Sequence, residues 1–302
     1  MNESWLSEAE RGRLTSFPEY IPEVDLIAFF TLISADQQLI RKRSGASNRL
    51  GMALQLCALR YMGFIPENLN AAPASALKFL AHQLGIEEIS LGAYGAREQT
   101  RTDHRQIIEK YLGYRRAGLD EWGRIERWLG LRALEHDRPS FLLQLLCEHL
   151  QTLKLVRPGW SVLERVVTSA RQQAHEETWR IVEDQVKAAD RDKLNGLLIV
   201  PKNERFTPLT RFRTAATAHS AQAILHTLEK ISELKTLGIA HWDLSRINPN
   251  RMKMLAQKGR KATNQALGSK NRPRGGPTFQ SSVRSAYLAI FAHPLEKVKV
   301  RM

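Results

Sequence analysis

Apolar residues recur at three- and four-residue steps through nearly every patterned part of this chain, the period of a helix packed on one face. "EVDLIAFFTLI" (23–33) shows it first, with Pro22 placed where a first-turn proline is tolerated. Ser34 followed by Gln37 has the form of a capping box and predicts a short helix through Arg43. Gly45 then interrupts the chain, and Ser47 is placed to cap a longer helix. The buried stripe of that helix is Leu50, Ala53, Leu54, Cys57, Ala58 and Tyr61, and Gly63 and Pro66 end it. The predicted order is helix, short helix, tight turn, longer helix.

A second passage of the same kind follows. Pro73 opens "ASALKFLAHQLG", a short apolar turn "ISLGAYG" comes next, and "REQTRTDHRQIIEKYLG" is a longer helix. The two long helices end alike, in "YMGF" (61–64) and "YLGY" (111–114), which predicts a tandem pair of modules over 1–66 and 67–118. From 119 to 200 the pattern predicts a domain of long helices. There "EWGRIERWLGL" offers Trp122, Ile125, Trp128 and Leu129, and "SFLLQLLCEHLQTL" is so nearly apolar all round that it reads as central. A further helix starts at Ser161 and runs towards Lys187. In 201–267, a proline- and polar-rich interval (201–219) reads as a linker. It precedes an amphipathic helix with Leu225, Leu228, Ile231, Leu234 and Leu237, then "NPNRMKMLAQKGRKATNQAL". "LLIV" (197–200) is the lone strand candidate, so the fold class is all-α. Residues 268–302 open on the Gly/Pro/basic stretch "GSKNRPRGGPTFQ", which cannot supply a core, and are expected to form a poorly ordered basic tail.

Charge changes the picture. The 302 residues carry a formal net charge of +14, which favours a polyanionic partner, nucleic acid or an acidic membrane face. The longest apolar runs fall far short of the roughly 20 residues a spanning helix needs, so no membrane partner is expected. "MNESWLSEAERGRL" lacks the plan of a secretory signal, and the two cysteines, Cys57 and Cys147, form no CxxC pair. A cytoplasmic or nucleoid-associated protein is expected. The tail has seven basic residues against one acidic, +6 of the total. "LIRKRSGASNRLGMALQLCALRYMGF" (39–64) adds +5 from Arg41, Lys42, Arg43, Arg49 and Arg60, with no acid.

Nothing in the sequence points to catalysis. Neither standard Gly-rich phosphate loop occurs, nor an HExxH, nucleophile-elbow or kinase motif. The histidines are scattered, and the doublets Glu87–Glu88 and Glu176–Glu177 read most simply as solvated faces. No catalytic residue, metal or cofactor is expected.

Nucleic-acid binding fares better. Arg41, Lys42 and Arg43 precede the glycine turn, while Asn48 and Arg49 sit on the first turn of the next helix. A helix N-terminus attracts phosphate through its free amides and dipole, and Asn or Arg there can reach base edges. In the second passage Arg97, Arg101 and Arg105 recur every four residues on one face, extended by Lys110, Arg115 and Arg116. A solvated face paired with Glu98, Asp103 and Glu109 is the competing reading of that helix. Aromatics fall mainly on the apolar stripes rather than on exposed stacking surfaces, which favours duplex DNA over RNA. Phosphates are assigned to Arg41, Lys42, Arg43, Arg105, Lys110, Arg115 and Arg116, and base contacts to Asn48, Arg49, Arg97 and Arg101.

"FPEYIPEVDLIAFFTLISADQQLIRKRSGASNRLGMALQLCALRYMGFIP" strongly resembles the N-terminal region of transposases of the Tn-three family, the class II replicative transposons. "YGAREQTRTDHRQIIEKYLGY" resembles a second signature of that family and "RPGWSVLERVV" a third, over about residues 14–267. The resemblance implies tandem helix-turn-helix-like modules that recognise the transposon's terminal inverted repeats. Residue by residue it adds His104 to Arg97, Arg101 and Arg105, and matches Arg41, Arg43, Asn48 and Arg49. Members of the family are about three times this long and carry a ribonuclease-H-like domain whose acidic triad binds two metal ions. The match stops near Leu267, so a truncated or frameshifted end without strand-transfer chemistry is expected. Such a chain could occupy transposon ends and repress a full-length transposase. Two alternatives stand beside this reading, a non-specific nucleic-acid-binding helical protein and a non-functional remnant of a decayed element.

Overall fold

Residue 51 is a glycine in the middle of a helix otherwise made of good helix formers, and that helix organises the N-terminal part of the protein. In a computed structural model, which describes residues 5–87, 89–92, 94, 98–213, 221–237 and 242–261, thirteen α-helices are seen and no β-strand occurs among the described residues. Arg115 and Leu155 form an isolated parallel bridge. The all-α class holds. The chain divides into two units, Met1–Leu129 with Arg138–Ser169, and Gly130–Asp137 with Ala170–Met302.

The first unit holds α1 (Glu8–Thr15), α2 (Glu23–Phe30), α3 (Ser34–Arg41), α4 (Ala46–Met62), α5 (Ala74–Leu84), α6 (Glu98–Leu112) and α8 (Pro139–Thr152). It also takes most of α7 (Leu119–Glu135) and the first part of α9 (Trp160–Glu183). Helix α4 has no β-branched residue, and Gly63 closes it in the left-handed conformation, its N–H donating to the Leu59 carbonyl. Every residue from Leu50 to Leu59 is buried. The predicted stripe is therefore part of a helix enclosed on all sides, by α2, α3, α5 and α6. One core joins Phe30, Ile40, Leu54, Leu80 and Ile108, so it runs through both passages singled out in the sequence. Burying such side chains is worth roughly 1.5–3 kcal/mol each.

Polar ties fix the register. Gln83 of α5 donates to the Phe30 carbonyl at 3.0 Å and accepts from the Leu32 N–H at 2.7 Å, which satisfies backbone groups left over where α2 ends. The start of α3 differs from expectation. The residue before the helix is Ile33, and the Asp36 carboxylate, rather than the Gln37 amide, accepts its N–H at 2.9 Å. An aspartate at that position reaches back with a full charge, which a glutamine lacks. Helix α4 likewise starts one residue before the predicted cap, from Gly45 at φ 84°, and no side chain caps it. Helix α8 buries Leu142, Leu143, Leu146 and Leu150 but exposes Gln144 and Glu148, so it is one-sided rather than central.

The second unit adds α10 (Ala188–Gly196), α11 (Pro208–Arg213), α12 (Ala221–Thr236) and α13 (Pro249–Lys261) to the ends of α7 and α9. Its core includes Val182, Leu194, Leu209, Phe212, Trp242 and Leu255. The "LLIV" stretch forms turns after α10, not a strand. The interval read as a linker contains α11, whose Leu209 and Phe212 are buried; residues 214–219 lie outside the described residues. Of the predicted stripe, Leu225 and Leu228 on α12 are exposed and Leu237, just past the helix, is buried; the side chains of Ile231 and Leu234 lie outside the described residues. The predicted tail, 268–302, lies outside the described residues. At the centre Arg251 is buried, donating to Thr178 Oγ1 at 2.6 Å, the Ala133 carbonyl at 2.9 Å and His175 Nδ1 at 3.0 Å. Arginine can only donate, so His175 accepts through Nδ1 and gives its Nε2 proton to Asp137, 3.1 Å away.

Candidate nucleic-acid interface

Between α3 and α4 the chain turns over Lys42–Gly45. Arg41 and Lys42 are exposed, while Arg43 and Arg49 are half-buried, with their Nε atoms buried and lacking a hydrogen-bond partner. Asn48 is partly committed to the turn, donating through Nδ2 to the Ser44 carbonyl at 3.0 Å. The first turn of α4 has neither an acidic residue nor a side-chain cap, so its amides and its dipole are uncompensated. Because Leu50 to Leu59 are enclosed, a ligand can meet this helix only at its ends, Ala46–Arg49 and Arg60–Met62.

The fifth basic residue of the 39–64 segment belongs elsewhere. Arg60 donates twice, at 2.9 and 2.6 Å, to the fully buried Asp36, which also accepts from the Tyr111 hydroxyl at 2.8 Å. Burial works to raise the Asp36 carboxyl, but the bonds from Arg60, Tyr111 and the Ile33 N–H outweigh it and hold the group below the ordinary carboxylate range. Arg60 is thus neutralised inside the fold, and the charge that this segment presents comes from Arg41, Lys42, Arg43 and Arg49.

Helix α6 presents its side. His104 and Ile108 are buried; Gln99, Arg101, Thr102, Gln106 and Lys110 are exposed, and Arg105 is half-buried. Arg97 lies outside the described residues. His104, which the resemblance placed at the DNA, is 4 % exposed and bonded through Nδ1 to the Tyr94 hydroxyl at 3.0 Å. Burial, and next the charge of Arg43, push its pKa below the ordinary histidine value. Burial also raises the Tyr94 phenol, while Arg101 and Arg105 lie near enough to pull the other way. Arg43 is thus within electrostatic reach of His104, and Arg101 and Arg105 within reach of Tyr94, the two partners of one buried pair. Sequence reasoning passed over Tyr94 as part of a short apolar turn.

Farther along, Lys110 and Arg116 are exposed, and Arg115 is held by both oxygens of Glu121. The bonds from Arg115, then the Gly118 N–H, hold the Glu121 carboxyl at about 2. No group of three or more His, Cys, Asp or Glu residues able to hold a metal occurs among the described residues, and none of their helices is long and apolar enough to cross a membrane.

What these residues define is an all-helical protein in which Arg41, Lys42, Arg43 and Arg49 gather around one uncapped helix start. Residues 5–170 match a protein family described as a domain of unknown function (DUF4158), and the chain belongs to that family. Its relatives are transposases of the Tn-three type. The chain is 30 % identical to the transposase for transposon Tn501 of Pseudomonas aeruginosa, over 87 % of this chain and 26 % of that protein. It is 27 % identical to the transposase for transposon Tn1546 of Enterococcus faecium, over 93 % of this chain and 28 % of the other. It is 28 % identical to the transposase for transposon gamma-delta of Escherichia coli K12, over 78 % and 24 %. The chain thus spans about a quarter of the length of these curated relatives.

Proposed function

We propose that this chain binds the terminal inverted repeats of a transposon, as the end-recognition part of a transposase. The observation that carries the reading is the uncapped, acid-free start of α4 with Arg41, Lys42, Arg43 and Arg49 around it, supported by Arg101 and Arg105 on α6, a helix joined to α4 through the Tyr94–His104 pair. Phosphates suit that arrangement, because backbone amides and guanidinium groups both donate to phosphate oxygens. Arg41, Lys42, Arg43, Arg105, Lys110, Arg115 and Arg116 hold the backbone. Asn48, Arg49 and Arg101, with Arg97, reach base edges. His104 serves from beneath the surface. The reading assigns no strand-transfer chemistry to these residues, which match the relatives over about a quarter of their length. Bound to an end, the chain blocks a full-length transposase at the nucleoid.

A gel-shift titration of the purified chain on its own element's ends against scrambled duplex tests this. Preference for the ends is expected at about 150 mM salt, with log K falling against log salt at a slope of about −5 if roughly six phosphates are neutralised. Equal affinity for both duplexes turns the reading into a non-specific binder, and cleavage of an end-bearing substrate with Mg²⁺ overturns the division of labour.

A further inference from the structure

Tyr94 stands where the two basic elements of the first unit meet. Its ring lies so close to Gly51 of α4 that a Cβ on that glycine would come within 2.3–2.5 Å of three ring carbons, which no side chain tolerates. The same ring stacks on His104 of α6, centroids 5.7 Å apart and planes 22° apart, and its hydroxyl bonds His104 Nδ1 at 3.0 Å. Gly51 is the one glycine inside a helix that has no proline and no β-branched residue, and the close approach of the ring accounts for it. Arg101 and Arg105 lie on the same helix as His104, and Arg43 is within electrostatic reach of that histidine, so charges from both elements proposed for DNA act at this joint.

We infer that Tyr94 is a positioning residue for DNA recognition: wedged between Gly51 and His104, it fixes the spacing between the α3–α4 turn and α6 so that both engage one duplex together. This rests on the proposed DNA-binding function. Two contact sets held at a fixed spacing bind the second set as an intramolecular step, with a high effective concentration; released from each other, they bind one at a time. Removing the wedge therefore reduces the number of phosphates engaged at once, and not only the stability of the fold.

The variants are Gly51→Ala, Tyr94→Phe and, as a control, Leu80→Ala in the core of the same unit. Gly51→Ala is informative because alanine is the better helix former, so α4 itself is not weakened while the ring must move. Tyr94→Phe keeps the ring on Gly51 and removes the bond to His104. Each full-length chain is titrated by fluorescence anisotropy on a duplex carrying its own element's terminal repeat, over a salt series, with helicity and melting recorded. Gly51→Ala is expected to bind at least tenfold more weakly, with the salt slope reduced by about 2, the charge that α6 contributes through Arg105 and Lys110. Tyr94→Phe is expected to lose about fivefold, while Leu80→Ala melts earlier yet keeps the slope of the unaltered chain. Unaltered affinity and slope in a folded Gly51→Ala, or in Tyr94→Phe where Gly51→Ala does not fold, overturns the inference. A slope reduced equally in Leu80→Ala overturns it too. If the unaltered chain itself fails to prefer the repeat over scrambled duplex, it is the underlying function that falls.

Discussion

Helices α4 and α6 carry the basic residues proposed for DNA on opposite principles. From Leu50 to Leu59 α4 is enclosed, so only its two ends reach the surface, and at the far end Arg60 is paired with Asp36. Helix α6 buries one line through His104 and Ile108 and leaves a polar side free. The first presents a helix end, with its amides and dipole; the second presents a helix flank, with side chains at four-residue spacing. Charge on α4 is thus confined by packing to its N-terminus, whereas charge on α6 can be moved along the exposed flank without touching the core.

The sharpest way to break this contrast is to truncate matched positions. Leu54→Ala on α4 is expected to cost about 3–4 kcal/mol, through lost transfer energy and a residual cavity. Gln106→Ala on α6 is expected to stay within about 0.5 kcal/mol. Urea unfolding measures both, and similar costs at the two sites would show that α4 is not the enclosed element described here.

Next in size is Asp36, which ties the two helices together. Arg60→Ala leaves a buried carboxylate without its main partner and is expected to cost about 3 kcal/mol. Replacing the pair together, Asp36→Leu with Arg60→Met, is expected to recover only part of that loss, because the Ile33 N–H and the Tyr111 hydroxyl also lose their acceptor. The sign with pH follows from a depressed carboxyl. Its contribution is complete above the unfolded value of about 3.9 and is lost as pH falls through the lower folded value. Arg60→Ala should flatten unfolding against pH in that acidic window, and an unchanged acid limb would sink the assignment.

Much of this was legible in the residues. The helical period, the stop at Gly63, the members of the α4 stripe and the placing of Asn48 and Arg49 on its first turn all follow from local chemistry. What local pattern could not give was pairing across distance. Asp36 lies 24 residues from Arg60 and outside the acid-free segment, so the segment looked more basic than it is. Leu225 and Leu228 fit a buried stripe, yet burial depends on a partner surface that periodicity cannot supply. Gly51 was the one readable hint of the Tyr94 joint, since a glycine inside a strong helix asks what comes close. Four-residue spacing put Arg101 on a flank that is exposed, whereas His104 came from the resemblance, which carries no information on burial, and it lies inside.

End and flank should also read different parts of a binding site. Arg49→Ala and Arg101→Ala are each expected to lose about 1–3 kcal/mol on the element's own end and little on scrambled duplex. Each should relax specificity at its own base positions, which selection from a randomised duplex pool would reveal. Relaxation at the same positions in both variants would mean that the two elements do not read separate bases. His104 gives a smaller effect, with its own sign. Its folded pKa is depressed, chiefly by burial, so stability is full above the unfolded value of about 6.5 and is lost as pH falls below it. The loss is at most about 1.4 kcal/mol per pH unit, and His104→Gln should remove that part of the slope between pH 6.5 and 5.

The smallest expected effect separates two neighbouring arginines beyond α6. Arg115 is clasped by Glu121, whereas Arg116 is exposed with no such clasp described. Before Arg115 can meet a phosphate it has to exchange one anion for another, so its net gain on DNA is small. Arg116 meets a phosphate from solvent and keeps the full benefit of counterion release. Arg116→Ala is therefore expected to reduce the salt slope by about 1, and Arg115→Ala by less. Glu121→Gln reverses the handicap: it keeps the shape, removes the competing charge, and should tighten DNA binding a few-fold with a slope steeper by about 1. If Glu121→Gln leaves the slope where it was, Arg115 does not lie along the phosphate path.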